Sequence, residues 1–350
     1  MKKIIISMMA VASLAACTKS EVQYEPAGEI SFAPVSKLNT KAAVTTTDYP
    51  DALNMYVFAN AGEADAALST FAEPYFANAE FSQDGHPANV FGGVTPYYWP
   101  NVKELIFSGY SKSGNVASLS PKPTYVKNAD TGIWEINMTG YAPTPGTADL
   151  GDNDLMWFPT TADSYGKPAN AAFTVDVEMK HACSWVTINV MGDATTGKTG
   201  TTWQILDLTI NDLAQEGDVI LGETADWTPS ATTEPFEVFN GEKALTAGYV
   251  DYTQLSYTDL ILVPQETKTL TITYEFVSQA GLDPIQEVKT IDLTYTDDEG
   301  WEPGVHYTYN ITIGTQEILI EPTVEFWDPV KTDAEGNQTS GSIDTDITLQ

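Results

Sequence analysis

Ser342-Ile343-Asp344-Thr345-Asp346-Ile347-Thr348-Leu349-Gln350 closes the chain, and in it Ile343, Thr345, Ile347 and Leu349 alternate with Asp344, Asp346, Thr348 and Gln350. A period of two is that of a β-strand with one buried face. The run before it, Thr332 to Gly341, is polar and has no core of its own, so this strand is tethered rather than packed locally. Near the other end Ile30 and Phe32 alternate in the same way with Glu29, Ser31 and Ala33. A chain that begins with a detachable strand and ends with one it can lend has the parts for polymerisation. The plainer alternative is that the last strand completes the sheet of its own domain.

The residues between these ends read as strands throughout. Runs over 53–59, 76–81, 90–99, 104–111, 133–138 and 154–158 are followed by 173–181, 184–191, 203–211, 219–221, 234–239, 259–263, 269–277, 287–296, 306–313 and 317–326. Thr, Val, Ile and Tyr dominate the later runs, as suits pleated, half-buried surfaces. Gly, Pro, Asn and Asp punctuate the intervals, as at Asp84-Gly85 and Pro143-Thr144-Pro145-Gly146. The Ala-rich stretch from Glu63 to Phe71 predicts a short helix, and no other segment holds a 3.6-residue period for long. A break over 162–172 divides the chain, so the expectation is an all-β protein of two tandem β-sandwich domains, 42–170 and 171–332. A length of 350 residues accommodates both.

The formal net charge is −32, and all 16 basic residues are Lys, because the sequence contains no Arg. Without the guanidinium fork nucleic-acid recognition is poorly supported. So acidic a surface repels anionic membranes and other copies of itself, and any assembly has to be held by burial and backbone bonding. A merely soluble acidic surface accounts for the charge equally well.

Lys2 and Lys3 precede an apolar run from Ile4 to Ala16, too short to span a bilayer and shaped like a secretory signal. It ends in Leu14-Ala15-Ala16-Cys17, a bacterial lipobox in which the Cys17 thiol takes the diacylglycerol, so residues 1–17 read as a lipoprotein signal. Residues 18–41 then form a tether and a first strand. The loop after that strand contains Asn39-Thr40-Lys41-Ala42, a basic residue among small neighbours in the kind of exposed setting where proteases cut. Cys183, between His181 and Trp185, has no disulfide partner if Cys17 is lipidated, and reads as a small buried hydrophobe. A nucleophilic role beside His181 lacks a third orienting group.

Several motifs tempt and fail. Gly192-Asp193-Ala194-Thr195-Thr196-Gly197-Lys198-Thr199 fits a phosphate loop letter for letter. Such a loop must open a helix whose N-terminal amides hold the phosphates. Here the chain continues into an alternating strand, so a hairpin loop is the expectation. Asp149, Asp152 and Asp154 offer hard oxygen ligands at short spacing, but their loop lacks the Gly and closing Glu of an EF-hand. His86, His181 and His306 lie on separate segments without metal-type spacing. No metal, cofactor or catalytic group is expected, and the chain does not read as an enzyme.

Against this background the sequence resembles the fimbrillins of Bacteroidetes type V pili. The lipobox at Cys17 and the early strand Glu29-Ile30-Ser31-Phe32 before a cleavable basic residue carry the likeness at the start. Trp99 to Tyr110, Asp154-Leu155-Met156, Phe173 to Val190 and Leu262-Val263-Pro264-Gln265 carry it further on. Nearest of all is Trp301-Glu302-Pro303-Gly304-Val305-His306-Tyr307-Thr308-Tyr309-Asn310-Ile311. The resemblance implies transthyretin-like sandwiches and a lipidated precursor that reaches the outer membrane. A trypsin-like protease then cuts after Lys41, before Ala42, with Lys37 the second choice. The strand carrying Ile30 and Phe32 leaves, and residues 333–350 of another copy or a related subunit supply a linker and donor strand. A stalk subunit serving adhesion and colonisation is the implied role. A tip or anchor subunit is the alternative, as is a non-polymerising surface lipoprotein that binds glycans through Tyr97, Tyr98 and Trp99.

Overall fold

The computed structural model describes residues 28–35, 54–111, 119, 122–143, 154–170, 172–192, 202–245, 248–250, 260–277, 282–294, 300–314 and 318–326. Eight strands precede residue 170: β1 (Ser31–Val35), β2 (Met55–Glu63), β3 (Glu73–Ser82), β4 (Phe91–Gly93), β5 (Lys103–Ser111), β6 (Thr124–Lys127), β7 (Trp134–Tyr141) and β8 (Met156–Phe158). After it come β9 (Val175–Glu178), β10 (Lys180–His181), β11 (Ser184–Gly192), β12 (Thr202–Leu213), β13 (Gly217–Leu221), β14 (Ala225–Pro229) and β15 (Glu234–Leu245). The series ends with β16 (Gly248–Val250), β17 (Leu260–Leu262), β18 (Thr269–Val277), β19 (Ile285–Asp292), β20 (Val305–Ile313) and β21 (Ile318–Phe326). The protein is all-β, as its alternation and turn residues predict. Among the described residues the one helical element is a 3₁₀ turn at Leu68–Thr70. The predicted short helix over 63–71 shrinks to that turn because β2 runs on through Glu63, bonded to Lys103 of β5.

The first sheet has eight strands in the order β10-β8-β5-β2-β3-β4-β1-β9, antiparallel except for the β1–β9 pair. Five strand spacings separate β8 from β1, about 24 Å in a flat sheet. Yet the ring of Phe158 in β8 lies 6.1 Å from that of Phe32 in β1. The sheet is therefore rolled around its own inner face, which buries Ile30, Phe32, Val57, Phe81, Phe107 and Phe158. Its outer face is covered as well. Phe58, Tyr110 and Trp157 pack there against Ile136, Met138, Val219 and Leu221 of a second sheet, ordered β14-β13-β7-β6. Burial on both sides explains why Leu105, Ile106 and Phe107 are apolar in succession and why β5 is buried without interruption from Leu105 to Ser111.

A third, five-stranded sheet (β16-β11-β20-β21, with β17 also on β11) faces a fourth (β15-β12-β18-β19), and Val186, Ile188, Leu208, Ile272, Tyr309 and Ile311 fill the space between. One hairpin runs through both halves of the molecule. β12 and β15 pair in the fourth sheet as far as Leu213↔Glu234, and the same two arms pair again as β13 and β14 from Gly217↔Pro229. There β13 joins β7 in the second sheet through Gly217↔Tyr141, Val219↔Met138 and Leu221↔Ile136. β9 and β10 likewise lie in the first sheet, so strands from either side of residue 170 share two sheets.

His306 of β20 is the registered partner of Trp185 in β11 and stacks on its indole at 3.7 Å and 10°. Its Nε2 lies 2.9 Å from Thr187 Oγ1. Burial pulls its pKa from 6.5 down to about 4, since a buried imidazolium loses its hydration. A depressed folded pKa means the unfolded chain takes the proton first. Stability from this group is whole above pH 6.5 and drains away as the pH falls to 4, a loss of about 3 kcal/mol. Urea unfolding of wild type and His306→Gln across that window checks this, with a shallower acid slope expected in the variant.

Candidate functional site

The first strand is not at an edge. On one side β1 meets β4 antiparallel, through Ser31↔Gly92 and Phe32↔Phe91. Just ahead of it the Ile30 N–H donates to the Tyr97 carbonyl oxygen at 2.8 Å, and the Trp99 N–H donates to that of Gly28 at 3.3 Å. On the other side it runs parallel to β9, through Phe32↔Val175, Ala33↔Asp176, Pro34↔Val177 and Val35↔Glu178. The ladder is uneven, fuller on the β9 side than on the β4 side. Pro34 has no N–H to donate, and the β4 register covers two residue pairs.

Side chains do more of the holding than backbone. Ile30 and Phe32 are both 0% exposed. The Phe32 ring stands edge-on to Phe81 of β3 (4.9 Å, 83°) and to Phe107 of β5 (5.1 Å, 86°), the geometry aromatic quadrupoles prefer. A strand bearing two such residues contributes roughly 3–6 kcal/mol of apolar burial. Its departure would leave an apolar trench floored by Phe81, Phe107 and Phe158, with unpaired backbone groups of β4 and β9 along both walls.

The other predicted site residues fare differently. Cys17, Lys37, Lys41, Ala42, Ile343, Thr345, Ile347 and Leu349 lie outside the described residues, as do Asp149 and Asp152. Asp154 is buried and pairs with His181 Nδ1, tying the residue ahead of β8 to β10. Cys183 is fully buried, and burial first, then the Asp154 carboxylate, push its thiol well above the ordinary range. A thiol held neutral in this way is no nucleophile. Segment 193–201 is outside the described residues, but its flanks β11 and β12 are both strands, and a strand follows where a phosphate loop needs a helix. Trp99 is 2% exposed, Tyr97 packs on Phe76 at 4.5 Å, and only Tyr98 of that aromatic trio is open, at 48%. No exposed aromatic platform forms there.

Two stretches singled out in the sequence turn out to be one structure. Gln265 and Trp301 exchange backbone hydrogen bonds at 3.1 and 2.7 Å. Trp301 Nε1 donates to the Tyr309 hydroxyl at 2.9 Å, which donates to the Leu293 carbonyl oxygen at 2.8 Å. The Tyr307 hydroxyl accepts the Glu302 N–H at 2.9 Å. The parallel partner of β1 was missed, since 173–181 reads as one strand whereas β9 and β10 are separate and pair with different neighbours.

Residues 40–327 match the fimbrillin-like family model, and the chain belongs to that family. Membership makes it a fimbrial subunit of the cell surface, associating with other subunits, and a structural protein rather than an enzyme. Among solved structures it is similar to a fimbrial protein from Bacteroides vulgatus, at 15% identity and a TM-score of 0.57 over 86% of this chain and 99% of that one. A candidate cell adhesion protein from Bacteroides uniformis matches at 18% identity and a TM-score of 0.49, over 86% and 99% of the two chains. A fimbrial assembly protein from Parabacteroides distasonis matches at 13% and 0.41, over 85% and 95%. Among curated proteins no sequence match was found. No helix among the described residues is long and apolar enough to cross a membrane.

Proposed function

We infer that the chain is a stalk subunit that polymerises by protease-triggered strand exchange. The precursor is lipidated at Cys17 and carried to the outer membrane. A trypsin-like protease cuts between Lys41 and Ala42, β1 departs with Ile30 and Phe32, and Ile343, Thr345, Ile347 and Leu349 of the next copy enter the trench. The observation that carries this reading is the position of β1: inserted between β4 and the edge strand β9, fully buried at Ile30 and Phe32, and registered with β4 over only two residue pairs. A strand so placed is needed for folding and is replaceable only by another strand, which is the logic of β-strand addition.

Intact mass and SDS-resistant laddering of the protein from its own cells test the reading. An N-terminus at Ala42 on laddered material is the expected result. A diacylated Cys17 on a monomer would sink the stalk role and leave an anchor subunit or a glycan-binding lipoprotein.

A further inference from the structure

A cleft of about 550 Å³ opens where β14 faces the 264–268 loop and the 301–303 turn, a volume inside the roughly 300–1,000 Å³ of small-molecule sites. Ala225 and Trp227 of β14 together with Pro264 and Trp301 give it an apolar side. Both indoles use their N–H inside the protein. Trp227 Nε1 donates to the Ala182 carbonyl oxygen at 2.6 Å, and Trp301 Nε1 to the Tyr309 hydroxyl at 2.9 Å. Trp301 is 2% exposed whereas Trp227 is half-buried, so the ring surface a ligand can touch is that of Trp227.

That side is also fixed in advance. Gln265 Oε1 accepts the Ala214 N–H at 3.0 Å, and its Nε2 donates to the carbonyl oxygens of Ala214 and Val263, each at 3.0 Å. Tyr141 stands at 61° to Trp227 with ring centroids 6.1 Å apart. Little ordering is left for a ligand to offset.

Around the mouth lie exposed Asp226, Thr233, Glu266 and Glu302, with half-buried Ser230 and Lys268. Three carboxylates against one ammonium, on a chain of net charge −32, turn away anionic ligands. What fits is uncharged, has one apolar face for the indole, and bears several hydroxyls at its edge to donate to carboxylates and exchange bonds with Thr233 and Ser230. A pyranose ring has that distribution of C–H and O–H groups.

We propose that this cleft binds a neutral carbohydrate, with a sugar ring lying on Trp227 and its hydroxyls bonded to Ser230, Thr233 and Glu266. The assignment stands apart from strand exchange, since neither β1 nor residues 333–350 line the cleft, and its failure leaves polymerisation untouched.

The test is isothermal titration of the full chain with cellotriose, maltotriose, mannotriose and N,N′,N″-triacetylchitotriose, with 3′-sialyllactose and spermidine as charged comparators. At least one neutral trisaccharide is expected to bind, and at least tenfold more weakly to Trp227→Phe. Because that ring also packs on Tyr141, Glu266→Gln and Thr233→Val provide exposed variants whose melting temperature should match wild type while affinity falls severalfold. Binding by none of the four neutral trisaccharides overturns the proposal. So does binding indifferent to all three substitutions, or a preference for spermidine or sialyllactose.

Discussion

Phe32→Ala is expected to cost the uncleaved chain about 3–5 kcal/mol of stability. The ring is 0% exposed and meets Phe81, Phe107 and Phe158, which belong to three different strands of one rolled sheet. Truncation leaves a cavity that none of these strands can close alone, because each is held by ladder bonds to its neighbours. Against a total stability of about 5–15 kcal/mol for an ordinary domain, this is a large share. The urea midpoint of the uncleaved protein measures it. A loss below about 1 kcal/mol would show that β1 is not integral to the inner core, and a trench with no appetite for a replacement strand could not drive exchange.

Deleting Ser342 to Gln350 is the second large effect: SDS-resistant ladders should disappear from protein whose N-terminus is Ala42. Burying Ile343, Ile347 and Leu349 in a neighbour would contribute roughly 5–9 kcal/mol before ordering costs, about four to six decades in an association constant. Repulsion between subunits of net charge −32 then acts without opposition. The truncated protein should still melt with the intact precursor as long as its own β1 remains. Ladders that persist would mean that the donor lies elsewhere, and a truncated precursor that melts much lower would mean that the tail serves its own sheet.

How much of this was legible in the sequence depended on how far apart the partners lie. Ile30 and Phe32 declared a one-faced strand by alternation alone, and the structure buries both. The same period gave β12, β18 and β20 close to their observed limits. By contrast, 90–99 looked like one strand but pairs only at Phe91–Gly93 and in a bridge at Tyr98, because Pro96 and its neighbours turn the chain between them. β6 was overlooked, being short and mostly exposed, and so was β14, whose Ala-Asp-Trp-Thr-Pro composition is not that of a typical strand. Neither the parallel seat of β1 on β9 nor the cleft beside Trp227 has a local signature. Each joins residues far apart in the chain, which no local pattern of residue types can pair.

The long hairpin has a mechanical consequence. Where two domains meet only across side chains, relative motion is the default. Here the arms that pair as β12 and β15 in one half pair as β13 and β14 in the other, and β13 is bonded to β7. Bending between the halves has to deform both arms of that hairpin at once, at 214–216 and 230–233, where the Ser230 N–H donates to the Glu216 carbonyl oxygen at 2.9 Å. A fibre assembled from such subunits would be stiff within each subunit, with most of its compliance at the joints where one chain enters the next.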